Sequence, residues 1–98
     1  MEKNTPHCKL SLIKAMIDLG KVRSTRSARE SAAALGFDDI AMLCVVKTLS
    51  SADFYKSMTT HADHRIWQDV YRPMTSAGRI YLKLTVIDDV LIVSFKEM

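Results

Sequence analysis

Six polar side chains in the C-terminal half, Gln68, Arg72, Tyr81, Lys83, Ser94 and Lys96, fall on one face when that half is laid out as an antiparallel sheet. The layout follows from counting outward from turns. With Asp88-Asp89 as a two-residue hairpin loop, Ile87 opposes Val90, Leu84 opposes Val93, Lys83 opposes Ser94 and Tyr81 opposes Lys96. A four-residue loop at 75–78 then pairs Met74 with Arg79, Arg72 with Tyr81, Val70 with Lys83 and Gln68 with Thr85. The resulting face is cationic, with a tyrosine among its lysines. Lysine and arginine present point-like and forked donors to phosphate oxygens, and tyrosine stacks on a base or donates a proton, so these residue types suit an RNA backbone. The acids lie elsewhere: Asp88 and Asp89 in the turn, Asp63 in a loop, Asp53 ahead of a strand and Asp69 on the opposite parity. No carboxylate pair shares the face, which therefore offers no oxygen cage for magnesium. Solvated faces of small sheets also carry Lys, Arg and Thr. Spacing alone leaves a nucleic-acid-binding sheet and an ordinary outer surface both open.

Other reactive side chains are less suggestive. His61 and His64 flank Ala62-Asp63 in a polar loop and His7 stands in a first helical turn, too few ligands for zinc. Histidine is a residue type used as a general acid, but for His64 a loop histidine bonded to local backbone is the simpler reading. Cys8 and Cys44 have no activating partner in the sequence and read as small helix-packing residues. Trp67 and Tyr71 turn toward the core; Tyr55 either stacks on RNA or supports Lys56.

Positioning that face requires a scaffold, and the first half reads as helices. Thr5 as N-cap, Pro6 at the first position and Gly20 after the end frame a helix with Leu10, Ile13 and Ile17 at helical spacing. Ser27-Ala28-Arg29-Glu30 has the form of a capping box ahead of an alanine-rich helix that Gly36 stops. Asp38 or Asp39 caps a third, with Ile40, Leu43, Val46 and Leu49 as its apolar stripe. From about residue 53 the period becomes two, predicting strands at 54–58, 66–74, 79–87 and 90–96. Leu82, Leu84, Val86, Leu91, Val93 and Phe95 then make the core face. Helices first and a meander afterwards is α+β, with N-terminal helices on one face of a C-terminal antiparallel sheet.

Composition sets the outer bounds. A chain of 98 residues, 48% hydrophobic and 26% charged, is expected to form one domain over residues 1–98. No apolar run approaches the roughly 18 residues of a membrane span, no secretory signal opens the sequence, and two cysteines fit a reducing, cytoplasmic setting. The net charge is +3; residues 1–50 hold eight of the 14 Lys and Arg and five of the 11 Asp and Glu. The second half is therefore neutral overall, so its cationic face depends on where the charges point.

Longer runs carry a resemblance. Residues 53–60 (DFYKSMTT), Asp63-His64, residues 66–73 (IWQDVYRP), Tyr81-Leu82-Lys83 and residues 89–97 (DVLIVSFKE) resemble the motility quorum-sensing regulator (MqsR) toxin family. Glu2-Lys3, Thr5-Pro6-His7 and Thr25-Arg26-Ser27-Ala28 extend the match over essentially the whole chain, while 29–47 follows it loosely and His61 replaces an aromatic residue. The resemblance implies a type II toxin with a RelE-like fold, a metal- and ribosome-independent mRNA interferase cutting single-stranded mRNA at GCU-type sites. It implies a cognate antitoxin encoded beside the toxin, no cofactor and no DNA binding by the toxin alone. The family's catalytic positions correspond to Lys56, Gln68, Tyr81 and Lys96. Register had already gathered the last three; Lys56 comes from the resemblance alone, because the loop at 60–65 leaves its facing undetermined. Arg72, Lys83 and Tyr55 would bind flanking RNA. The rival classes are a non-catalytic module docking RNA or an acidic protein on the basic sheet, and a DNA-binding regulator, for which no helix-turn-helix pattern is evident.

Overall fold

The computed structural model describes residues 1–98. Strand β1 (Glu2–Lys3) precedes helix α1 (Leu10–Asp18), strand β2 (Val22–Ser24), and helices α2 (Arg26–Ala34) and α3 (Asp39–Lys47). A 3-10 turn at Ser51–Asp53 leads into β3 (Phe54–Thr59), β4 (Trp67–Tyr71), the short β5 (Met74–Thr75), β6 (Gly78–Val86) and β7 (Val90–Glu97). The sheet runs β1-β3-β4-β6-β7-β2, with β5 pairing on β6; every pairing is antiparallel except β2 with β7. The α+β class expected from the sequence is observed. No helix is long and apolar enough to cross a membrane.

The helices cover one face. Ile13 and Ile17 of α1, Ala28 and Ala32 of α2, and Met42 and Val46 of α3 are buried against Tyr71, Ile80, Leu82, Leu84, Val90, Ile92 and Phe95. Alanines let α2 approach β7 closely, and Phe37 meets Phe95 edge-on with ring centroids 5.2 Å apart. Burying each large aliphatic or aromatic side chain contributes roughly 1.5–3 kcal/mol.

Several local expectations are corrected. Helix α1 starts at Leu10, not after Thr5, because the amides of His7 and Cys8 donate to the buried Asp69 carboxylate (3.0 Å each). Those donors, bonded across 61 and 62 residues of chain, hold the segment extended, so His7 is not in a helical turn. The cap of α2 is Thr25, whose hydroxyl accepts from the Ala28 amide; the Ser27–Glu30 box does not form, and Glu30 pairs instead with Arg26 one turn back. Asp38 caps α3 as anticipated, but Ile40 is exposed and Met42 takes its place in the core. The strand expected at 66–74 divides into β4 and β5 around Arg72-Pro73. Strands β1 and β2, of two and three residues, were not anticipated.

The β6–β7 hairpin matches the count only in part. Lys83 opposes Ser94, Leu82 opposes Phe95 and Tyr81 opposes Lys96, but the register shifts beyond Lys83 so that Leu84 opposes Ile92 and Val86 opposes Val90. The loop is thus three residues, 87–89, and Val93 is an extra residue in β7. The bulge reverses parity, so Val90 and Ile92 are buried where Leu91 and Val93 had been expected.

Candidate active face of the sheet

Register builds the open face row by row. Lys56 of β3 opposes Val70 of β4, which opposes Lys83 of β6, which opposes Ser94 of β7. Tyr81 opposes Lys96 one row along. Gln68 lies two residues from Val70 on the same side and opposes Met58. Lys56, Gln68, Tyr81 and Lys96 therefore share a face, with fully buried Val70 as its floor.

A bulge brings Lys56 there. Phe54 opposes Tyr71 and meets it edge-on in the core at 5.5 Å, yet the register shifts between Phe54 and Lys56. Uninterrupted alternation would send 54 and 56 to the same side. The extra residue, Tyr55, turns Lys56 outward and Ser57 inward, where Ser57 is fully buried. Sequence reasoning had no signal for this bulge, which is why it left the side of Lys56 open.

Side-chain geometry draws the cations around two tyrosines. The Nζ atoms of Lys83 and Lys96 lie 5.7 and 5.8 Å from the centre of the Tyr81 ring. Lys56 Nζ is 5.3 Å from the Tyr55 ring, and the Arg72 guanidinium stacks on that same ring at 3.8 Å. Tyr81, Lys83 and Lys96, with Glu97 and Met98, line an open cleft of about 350 Å³. The larger hollow, about 570 Å³, lies between α3 and β5 and includes none of the expected site residues. Among the expected site cations, only Lys56 has a carboxylate partner: Glu2 of β1, 2.6 Å from its Nζ. That hydrogen-bonded ion pair raises the Lys56 ammonium above the ordinary lysine range, partly offset by desolvation, and lowers Glu2 below the usual carboxylate range. Lys56 is thereby held as a cation. Glu2 was missed by sequence reasoning, which saw no strand so early in the chain.

An N-terminal strap delivers Glu2. Glu2 and Lys3 pair with Met58 and Ser57, and the terminal ammonium donates to Thr59 Oγ1 at 3.1 Å. On the other face Lys3 Nζ sits 4.2 Å from the Trp67 ring, on which His7 stacks at 5.4 Å, so Trp67 is half-buried beneath the strap and not in the helix-packed core. Asp69 fastens the strap: Oδ1 accepts from Ser57 Oγ (2.6 Å) and the His7 amide, and Oδ2 accepts from the Cys8 amide. Three hydrogen bonds make a 3% exposed carboxylate tolerable without a counter-cation. Asp63 pairs with Arg65 in its own loop, and His64 is exposed.

Comparison with known proteins identifies the family. A family model described as "Motility quorum-sensing regulator, toxin of MqsA" matches residues 5–97. The mRNA interferase toxin MqsR of Escherichia coli (strain K12) is 60% identical over 97 residues, covering 99% of each chain. The family-model match spans every strand of the sheet but β1, the relative's match includes β1 as well, and by them the chain belongs to the motility quorum-sensing regulator family of toxins.

Proposed function

We propose that the chain is the toxin of a type II toxin–antitoxin pair, an endoribonuclease that cuts single-stranded mRNA on the open face of the sheet and so arrests translation and growth. The observation that carries this reading is the convergence of Lys56, Gln68, Tyr81 and Lys96, from four strands, over one apolar floor. The family's description as the toxin of MqsA supports a protein antitoxin as partner, and the relative's name supports mRNA as substrate. The reading places residues 1–98 in one RelE-like catalytic domain acting in the cytoplasm, at GCU-type sites, without ribosome, metal or DNA contact.

The chemistry is attack of the ribose 2′-hydroxyl on the adjacent phosphorus. The bond from the 2′-oxygen to phosphorus forms as the bond to the 5′-oxygen breaks, giving a 2′,3′-cyclic phosphate and a 5′-hydroxyl; the 2′-proton passes to solvent and the leaving oxygen receives one. Lys96 and Lys56 offset charge on the phosphorane, the kind of preorganised contribution worth roughly 3–4 kcal/mol per donor. The Glu2 ion pair opposes deprotonation of Lys56, which assigns it to charge stabilisation and not to general base catalysis. Tyr81, opposite Lys96, positions the phosphate and protonates the 5′-oxygen. Gln68 holds a base or the ribose; Lys83, Arg72 and Tyr55 grip the strand on either side.

The test is incubation of the purified chain with end-labelled single-stranded RNA in chelator. Fragments ending in cyclic phosphate, absent when the nucleotide 5′ of the cut is 2′-deoxy, are expected. A mobility shift with no fragments would replace this reading with a non-catalytic RNA-binding module.

A further inference from the structure

Arg79, which neither the register count nor the family match had brought into the site, lies on the open face. It precedes Tyr81 by two residues in β6, and residues at that spacing point the same way about 6.6 Å apart. That is comparable with one step between successive phosphates of an extended nucleic-acid strand. Its Nη1 donates to the Arg72 carbonyl at 2.7 Å, which fixes the side chain and leaves most of its five donors unused. Arg72 and Arg79 both line a hollow of about 320 Å³, with Ala52, Asp53 and Phe54 as the other walls. Stacking on Tyr55 locks the plane of Arg72 and leaves the edges of its guanidinium to donate.

Charge makes the hollow informative. Neither guanidinium has a carboxylate within ion-pairing distance, whereas Arg23, Arg26, Arg65 and Lys47 elsewhere are each paired. The one acid in the hollow, Asp53, is occupied: Oδ2 accepts from the Ser50 amide (2.9 Å) and hydroxyl (3.3 Å). Two guanidinium charges against the single Asp53 carboxylate, which is turned to Ser50, leave the hollow net positive and favour an anion between the arginines. We infer that Arg72 and Arg79 form a second phosphate subsite, holding the phosphodiester next to the scissile one and setting the course of RNA across the sheet from the Tyr81–Lys96 cleft toward Tyr55. The inference rests on the RNA-cleavage reading and adds Arg79 and a direction to it.

The experiment uses the full chain and RNA carrying one 2′-deoxy nucleotide at the cleavage position, so that binding is read without turnover. Arg79→Gln is expected to weaken binding about tenfold to a hundredfold, the range for loss of a charge-assisted hydrogen bond. It should also flatten the dependence of log affinity on log salt by about 0.7, one phosphate's worth for a single strand. Arg79→Lys is expected to restore the salt slope and only part of the affinity. A neutral methylphosphonate at the linkage on one side of the cut should reproduce the Arg79→Gln loss in the wild type and add nothing to it in the variant. The same modification on the other side should add its effect in full. Wild-type slope and affinity in Arg79→Gln, with circular dichroism unchanged, would overturn the subsite. A wild type that binds with the expected slope yet never cuts the all-ribose strand would overturn the nuclease reading and leave the subsite standing.

Discussion

Strand β6 sends Leu82 and Leu84 to one side and Tyr81 and Lys83 to the other, and the two sides are organised by different physics. On the helix side the central positions are filled and dry: Leu82, Leu84 and Phe95 are at most 1% exposed. On the open side Arg72, Lys83 and Lys96 stand without carboxylate partners around two aromatic rings, Arg79 is likewise unpaired, and only Lys56 is neutralised. One side lowers the energy of the fold. The other leaves like charges unsatisfied at its expense, an arrangement that only an approaching anion relieves. Stability and activity should therefore separate cleanly between residues adjacent in sequence.

Substitutions can break that separation. Phe95→Ala removes a fully buried ring that meets Phe37 and should cost about 3–5 kcal/mol of stability by urea denaturation. Lys96→Ala, one residue along, should leave stability within about 0.5 kcal/mol of wild type while lowering the rate of RNA cleavage 10²- to 10³-fold, or about 3–4 kcal/mol in the barrier. Equal effects of the pair on both measurements would show that the two sides are not independent. Asp69→Asn sharpens the comparison from the strap side: an amide cannot accept all three hydrogen bonds, so about 2–3 kcal/mol of stability should be lost. Hydrogen exchange should then speed up at the His7 and Cys8 amides.

Smaller effects test the rules themselves. Tyr71 is 1% exposed and its hydroxyl has no partner, so Tyr71→Phe should stabilise the fold by about 1 kcal/mol. Burial, with the nearby Asp69 and Cys8 charges, pushes this phenol up to about 12. The unfolded chain releases the proton near pH ~10, so stability should fall as pH rises from about 10 to about 12, and this slope should be shallower in Tyr71→Phe, where the raised Cys8 thiol and Lys56 ammonium still contribute. Glu2→Gln should have the least effect on stability, the Glu2 side of its pair with Lys56 being exposed. Its signature is in the pH profile: without the carboxylate Lys56 deprotonates at lower pH, so the alkaline limb of cleavage should move down in pH. An alkaline limb that stays in place would remove Lys56 from the charge-stabilising role.

Long-period features were legible in the sequence and one-residue ones were not. Counting from the β6–β7 turn paired Tyr81 with Lys96 because the extra loop residue and the bulge at Val93 cancel, and a Gly after each of α1 and α2 marked their ends. Caps were harder, since Thr5, Thr25 and Ser27 are chemically alike and only the tertiary pull of Asp69 on the His7 and Cys8 amides rules out the first. The bulges at Tyr55 and Val93 leave no compositional trace, so the side taken by Lys56 and the inward turn of Val90 and Ile92 could not be read. Strand β2 is three residues long and draws its order from the parallel edge of β7. Its own residues do not announce it.

The bulge at Tyr55 also bears on how such a chain can change over generations. Exchanging Tyr55 for another side chain alters one surface group, and deleting it would close the bulge with Phe54 still opposite Tyr71 and Lys56 still opposite Val70 on the open face. The chain would retain its proposed catalytic side chains and their meeting place, and lose only the ring on which Arg72 stacks. For this stretch, inheritance must conserve the pairing with β4 before it conserves length or identity.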